Sequence, residues 1–241
     1  MLRLEGVSKR FGGLWAVNNL TCEIARDVIT CLVGPNGAGK TTVFNLITGF
    51  LQPDGGRIWY GERRIDGQPP PVVARLGIGR TFQDLKLFGN MTVLEHLLLA
   101  QERGLLSWRR YRTLKAEAER ILERFELLEK AHWLASDISY AEQKFLSLAR
   151  LVALGPRALL LDEPASGLDG PSLDKLVYFI RSLQGEGRSV LVIEHNLDIV
   201  RQLADHILFL DNGQLVAEGS PEKIFGDDRL ADLYFGRVRG A

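Results

Sequence analysis

The run Gly34-Pro35-Asn36-Gly37-Ala38-Gly39-Lys40-Thr41-Thr42 has the spacing G-x-x-x-x-G-K-[ST]. Glycines in that spacing let several backbone N–H groups converge on one anion at a helix N-terminus, where the helix dipole also favours negative charge. A lysine adds a mobile positive charge, and the hydroxyl after it is a hard oxygen ligand. The grouping is that of a nucleoside triphosphate site, with Lys40 reaching the β- and γ-phosphates and the Thr41 hydroxyl ligating Mg²⁺. A second group with chemistry is the pair Asp162-Glu163, which follows Ala158-Leu159-Leu160-Leu161 and precedes Pro164. Two desolvated carboxylates at the end of an apolar strand need a cation and a task. Asp162 suits Mg²⁺ held through water, and Glu163 suits orienting or deprotonating the water that attacks the γ-phosphate.

Elements must position these groups. Val28–Val33 is apolar and β-branched and predicts a buried strand; Thr42–Phe50 predicts a helix, so the glycine loop has strand before and helix after. The Ala158–Leu161 strand delivers its acids to the carboxyl edge of an open sheet, where such sheets bind ligands. In the first third, Leu20–Ile24 and Gly56–Tyr60 predict an antiparallel lobe. From Thr92 to Leu154 the pattern is mostly helical, with Leu114, Ala118, Ile121, Leu122, Phe125 and Leu128 on one apolar face. After Arg157 strands and helices alternate again. The expected class is therefore α/β: a P-loop NTPase core, an N-terminal antiparallel β lobe and an inserted helical subdomain at about 88–154, all in one domain over 1–241.

Composition bounds the function. Thirty basic residues balance thirty acidic ones, which argues against a nucleic-acid partner bound through a basic surface. No apolar run approaches the ~18 residues of a membrane span, and Met1–Glu5 reads as a strand with no signal-peptide core, so a cytoplasmic location is expected. Cys22 and Cys31 have no metal-ligand spacing and are expected as reduced core residues.

With these motifs in this order, the chain resembles the ATP-binding cassette (ABC) ATPases from about Leu2 to about Phe225. The resemblance implies ATP and Mg²⁺ as cofactors, with Gly34, Asn36, Gly37, Ala38, Gly39, Lys40, Thr41 and Thr42 in the ATP site. It implies that Gln83, in Gly79-Arg80-Thr81-Phe82-Gln83, touches Mg²⁺ and the attacking water and couples the site to a membrane partner. Ser166-Gly167-Leu168-Asp169 matches the D-loop, and His195, after Ser189–Glu194, matches the switch histidine that contacts the γ-phosphate. Phe11 matches the aromatic position that stacks on adenine, an ordinary core Phe being the alternative. The family works as a head-to-tail homo- or heterodimer that sandwiches two ATP and moves attached transmembrane permease subunits, which places this chain peripherally on the inner face of the cell membrane.

The signature segment departs from the family's Leu-Ser-Gly-Gly-Gln. It reads Ile138-Ser139-Tyr140-Ala141-Glu142, followed by Gln143-Lys144, and in the family it contacts the γ-phosphate of the opposite subunit. Ser139 is kept, and Phe145, Leu148, Ala149 and Val152 predict the helix that follows. Ala141 keeps the N–H donor but limits the backbone: a position needing positive φ or close phosphate approach implies slow turnover, whereas a helical position makes alanine harmless. Asp27 stands where relatives usually have Gly, in a turn that Asp tolerates, and Asn196 stands where they often have Asp.

The phosphate loop with its helix through Gly49, Gly79–Gln83 and Leu87–Glu95 resembles the LivG-type ATPases of branched-chain amino acid importers, and Arg103–Lys115 lies where that group carries extra residues. Urea and amide importers and the lipopolysaccharide-export ATPase share the resemblance. A non-transport cassette of repair, translation or cofactor assembly is the alternative of another class; the coiled coil, tandem cassette or signature inserts usual there are not visible. The basic-aromatic run Trp108–Arg112 is expected as a solvated helix start.

Overall fold

The computed structural model describes residues 1–101 and 108–230; residues 103–107 of the Arg103–Lys115 segment lie outside them. Strands β1 (Leu2–Phe11), β2 (Leu14–Ile24) and β3 (Ile29–Val33) lead to helix α1 (Lys40–Ile47), then β4 (Gly55–Tyr60), β5 (Arg63–Arg64), α2 (Pro70–Arg75) and β6 (Ile78–Arg80). Three helices follow, α3 (Val93–Gln101), α4 (Trp108–Arg124) and α5 (Tyr140–Ala153). The chain then alternates through β7 (Ala158–Asp162), α6 (Gly170–Ser182), β8 (Ser189–Ile193), α7 (Leu197–Leu203), β9 (His206–Asp211), β10 (Gln214–Gly219) and α8 (Pro221–Phe225).

One sheet is antiparallel, in the order β2-β1-β4-β5, and the other runs β10-β9-β3-β8-β7-β6. In the second, β3 pairs in parallel with β8 and β9, and β7 pairs in parallel with β8 and β6; β10 alone is antiparallel. Every residue of β3, β7 and β8 is buried, as parallel strands covered on both faces must be. Alternation sorts them into two cores. Ile29, Cys31, Val33, Leu159, Leu161, Val190 and Val192 face the helical segment with Leu97, Leu122, Phe125 and Phe145. Leu32, Leu160, Leu191 and Ile193 face α1 and the antiparallel sheet, with Phe44, Leu4 and Ile58. The same sheet thus anchors both the nucleotide loop and the helices.

Element boundaries shift where local chemistry decides. Helix α1 starts at Lys40, ahead of the expected Thr42, and ends at Ile47, where the Thr48 hydroxyl donates back to the Phe44 carbonyl and Gly49 turns at φ +77°. Helix α4 ends at Arg124, because Glu126 turns the chain at φ +56°; Leu127 therefore takes the buried place expected of Leu128, which is exposed. Asp27 sits at φ +56°, the turn conformation expected for it, and its carboxylate accepts from Gly187 N. Arg110 and Tyr111 of the basic-aromatic run are half-buried on α4, so only Arg112 fits the solvated reading among those three. Cys22 and Cys31 are buried free thiols, and burial pushes both pKa values up, that of Cys22 to about 12.

Candidate active site

At the carboxyl end of β3 the chain enters the glycine loop. Gly34 has φ +146°, and a Cβ there would lie 2.0 Å from the Leu210 carbonyl oxygen; Gly39 has φ +102°, and its Cβ would lie 2.1 Å from that of Ala16. Neither position tolerates a side chain. Gly37, at φ +84°, faces open space, where a phosphate can approach the backbone. Ala38 and Lys40 are buried, Asn36 and Thr41 are exposed, and Thr42 is half-buried. The Lys40 ammonium is turned onto its own loop, donating to the carbonyl oxygens of Gly34 at 2.7 Å and Pro35 at 2.9 Å. Burial lowers its pKa, against the opposing pull of Glu163 and Asp162.

A cavity of about 580 Å³ opens beside the loop, walled by Gly34, Pro35, Asn36, Gln83, Glu163, Glu194 and His195 among others. Three residues from separate strand ends converge there. Gln83 Nε2 donates to Glu163 Oε2 at 3.4 Å, and His195 Nδ1 lies 3.8 Å from Glu163 Oε1. Glu163 holds this place with a left-handed backbone, φ +46°, and its N–H donates to the Ile193 carbonyl at 3.0 Å. Asp162 is buried behind it, in an ion pair with Arg80 at 2.6 Å.

Sequence reasoning missed several partners. Glu194 is buried in the cavity wall, accepts from Ala165 N at 2.8 Å and fixes the start of the D-loop; burial raises its pKa. Its signal was the one used for Asp162-Glu163, an acid directly after an apolar strand. Lys144 is also buried and donates to the Glu163 and Pro164 carbonyls at 3.3 and 3.1 Å, tying α5 to the strand end that carries the acids. Asn196, whose role was open, caps α7 by accepting from Asp198 and Ile199 N–H.

The remaining expected residues do not line this cavity. Phe11 is half exposed at the end of β1. Asp169 caps α6, accepting from Ser172 N at 3.1 Å. Ser139 caps α5 in a reciprocal capping box: its hydroxyl accepts from Glu142 N at 3.3 Å, while Glu142 Oε2 accepts from Ser139 N at 2.9 Å. Lys130 donates to the other Glu142 oxygen at 2.6 Å. Burial pushes the Glu142 pKa up, but these hydrogen bonds outweigh it and hold the carboxyl below its usual range. Ala141 is the second residue of α5 and is absent from the positive-φ positions, so the harmless of its two alternatives applies to the backbone. Tyr140 faces the D-loop: a Cβ on Gly167 would lie 3.0 Å from its ring.

A second hollow, about 820 Å³, runs between α2, β6 and the end of α5, with Phe50, Pro71, Val73, Phe82, Ala100 and Leu154 in its walls. Phe50 and Phe82 meet edge to face, 5.9 Å between centroids, and both are exposed.

A largely parallel sheet with a glycine loop at the end of β3, paired acids at the end of β7 and helices α3 to α5 between β6 and β7 defines a phosphate-loop nucleoside triphosphatase of the cassette type. The sequence profile described as "ABC transporter" matches residues 17–166. The chain is 41% identical to the high-affinity branched-chain amino acid transport ATP-binding protein LivG of Salmonella typhimurium, covering 99% of this chain and 98% of that one. It superposes with a TM-score of 0.87 and 30% identity on the ADP conformation of an ATP-binding cassette of an ABC transporter, over 98% of both chains. A bacterial cassette whose structure is dimeric gives a TM-score of 0.80 at 25% identity, over 92% of this chain and 99% of that one. The chain belongs to the ABC transporter family, as a nucleotide-binding ATPase subunit homologous to LivG. Among the described residues no helix is long and apolar enough to cross a membrane.

Proposed function

We propose that this ATPase drives the import of branched-chain or other hydrophobic amino acids, bound to transmembrane permease subunits on the cytoplasmic face of the cell membrane. The observation that carries the chemistry is the convergence of Gln83, Glu163 and His195 on one cavity wall facing the phosphate loop. ATP is the nucleotide: loop N–H groups around Gly37 and the Lys40 ammonium, released from its own carbonyls, hold the phosphates. The donor set fits Mg²⁺. Thr41, Gln83 and Asp162 offer only oxygens, and among the described residues no three His, Cys, Asp or Glu form a metal cage, so phosphate oxygens and water would complete the shell, as suits a small hard ion. When bound, that ion neutralises charge developing on the β- and γ-oxygens. Glu163 orients and deprotonates the attacking water, and His195 and Gln83 fix the γ-phosphate and that water.

The helical segment at about 88–154 is read as a subdomain inserted in a single cassette domain. Ser139, Ala141 and Glu142 serve the ATP of a second cassette, identical or different, with Asp169 at the same interface, and Phe11 stacks on adenine. The permease docks beside Gln83, around Leu85, Leu87 and Phe88, of which Phe88 is exposed. Phe82, three residues before Leu85, belongs to the Phe50–Phe82 groove, which supplies the apolar concavity that an amphipathic helix needs.

Transport tests the reading. The chain, co-expressed with its co-purifying membrane subunits and reconstituted in vesicles, should import leucine only with ATP supplied on the cassette side. ATP-driven flux of urea or lipopolysaccharide, with none of leucine, would reassign the substrate; absence of any membrane subunit would remove the transport role.

A further inference from the structure

Arg80 is used by no step above, yet it joins the groove to the acid pair. It ends β6, and its guanidinium carbon lies 5.3 Å from the ring centroids of both Phe44 and Phe82. Nη2 donates to Asp162 Oδ2 at 2.6 Å and Nη1 to Asn45 Oδ1 on α1, also at 2.6 Å. The Arg80 and Asp162 side chains are only 7% and 8% exposed, and Arg80 Nε is buried without a partner. Such a pair contributes little net stability compared with apolar residues of similar size, because both charges are desolvated. Its geometry accounts for it better. One Asp162 oxygen is pinned by Arg80, and the Asp162 N–H is pinned by Thr81 Oγ1 at 3.1 Å, which aims the carboxylate. Phe82, packed against the guanidinium, is also an exposed wall of the groove. Anything that enters the groove and moves Phe82 moves a ring packed on a side chain one hydrogen bond from Asp162.

We propose that Arg80 is a positioning residue for Mg²⁺, aiming Asp162, and that Phe82 and Arg80 carry the state of the docking groove to the metal. This rests on the assignment of Asp162 as the residue serving the metal. Arg suits this place better than Lys because its rigid planar fork presents Nη1 to Asn45 and Nη2 to Asp162 in fixed directions while packing against Phe44 and Phe82, which a freely rotating ammonium does not reproduce.

Mn²⁺ titration of the full chain, followed by electron paramagnetic resonance with a non-hydrolysable ATP analogue, reads the metal without turnover; analogue affinity in EDTA gives the metal-free baseline. Arg80→Met and Arg80→Lys should each weaken Mn²⁺ about 10-fold or more, the usual effect of losing a partner that orients a metal ligand, with the EDTA baseline unchanged. Arg80→Lys keeps the charge and guards against failure of the methionine variant to fold. Phe82→Ala should shift Mn²⁺ affinity in the same direction by a smaller factor, while Pro71→Ala, on the α2 wall of the same groove and lacking an aromatic ring, should leave it unchanged. Asp162→Asn separates the two claims. If it leaves Mn²⁺ affinity intact, the metal assignment is wrong; if it weakens Mn²⁺ while both Arg80 variants bind it normally, the positioning role is overturned. Equal losses with and without metal would make Arg80 structural only, and a silent Phe82→Ala would cut the link to the groove.

Discussion

The phosphate loop and the start of α5, the two edges proposed to meet phosphate, are built differently. At the start of α5 the capping side chains already have partners: Ser139 and Glu142 cap each other, and Lys130 holds the remaining Glu142 oxygen. At the phosphate loop the partners are provisional. Lys40 binds its own carbonyls, Gln83 reaches Glu163 only at 3.4 Å, and His195 stays 3.8 Å away. Catalytic contacts of this kind tighten when substrate arrives. The difference teaches a division of labour: under the proposed roles, the receiving edge would reorganise around nucleotide and the edge closing over it would stay stiff.

Substitutions can break or sharpen that contrast. The largest effect belongs to the receiving edge. Glu163→Gln should lower steady-state phosphate release by about 10²–10⁴-fold, the range for a lost general base, while equilibrium ATP binding stays near wild type; unchanged hydrolysis would remove Glu163 from its role. Lys40→Ala should instead appear in binding, weakening ATP by about 10- to 100-fold for the loss of a charge-assisted contact, as a fluorescent ATP analogue would report.

On the stiff edge the effects are smaller and appear first in stability. Ser139→Ala should lower unfolding free energy by about 1 kcal/mol through the cap and reduce ATPase of the assembled dimer, with the ATP affinity of the isolated subunit unchanged. Glu142→Gln tests the same cap by pH. The native carboxyl titrates below its ordinary 4.5, so its charged form stabilises the fold above that value and the contribution is lost as pH falls through the lower native pKa. The melting difference between wild type and Glu142→Gln should therefore be present at neutral pH and close in acid; a difference that widens in acid would contradict the cap. The smallest effect is expected of Ala141→Gly. In a helical position the change should leave turnover alone and cost at most about 1 kcal/mol, whereas a faster dimer would mean that the methyl group does obstruct the opposite nucleotide.

Much of this was legible in the chain for physical reasons. Strands β3, β7 and β8 stand out because both their faces are buried, and the phosphate loop because its glycines answer to local backbone geometry. The helix after Ser139 was readable from Phe145, Leu148, Ala149 and Val152, and its cap could have been read too, since Ser139 and Glu142 have capping-box spacing. What stayed hidden depends on distant segments meeting. Arg80 and Asp162 are 82 residues apart and become partners only because β6 lies beside β7. The groove draws Phe50, Pro71, Phe82 and Leu154 from four segments, and nothing in the sequence announces that they meet. Leu128 was misplaced because nothing in its neighbours announces the left-handed turn at Glu126.

That same left-handed conformation at Glu163 sets function against durability. A residue with a Cβ held at φ +46° costs about 1–2 kcal/mol relative to an unstrained backbone, a cost glycine largely escapes. Glu163→Gly should melt at a higher temperature than the wild type while losing hydrolysis as Glu163→Gln does, and screening random variants of this chain for heat resistance alone would then select against the carboxylate proposed as the general base.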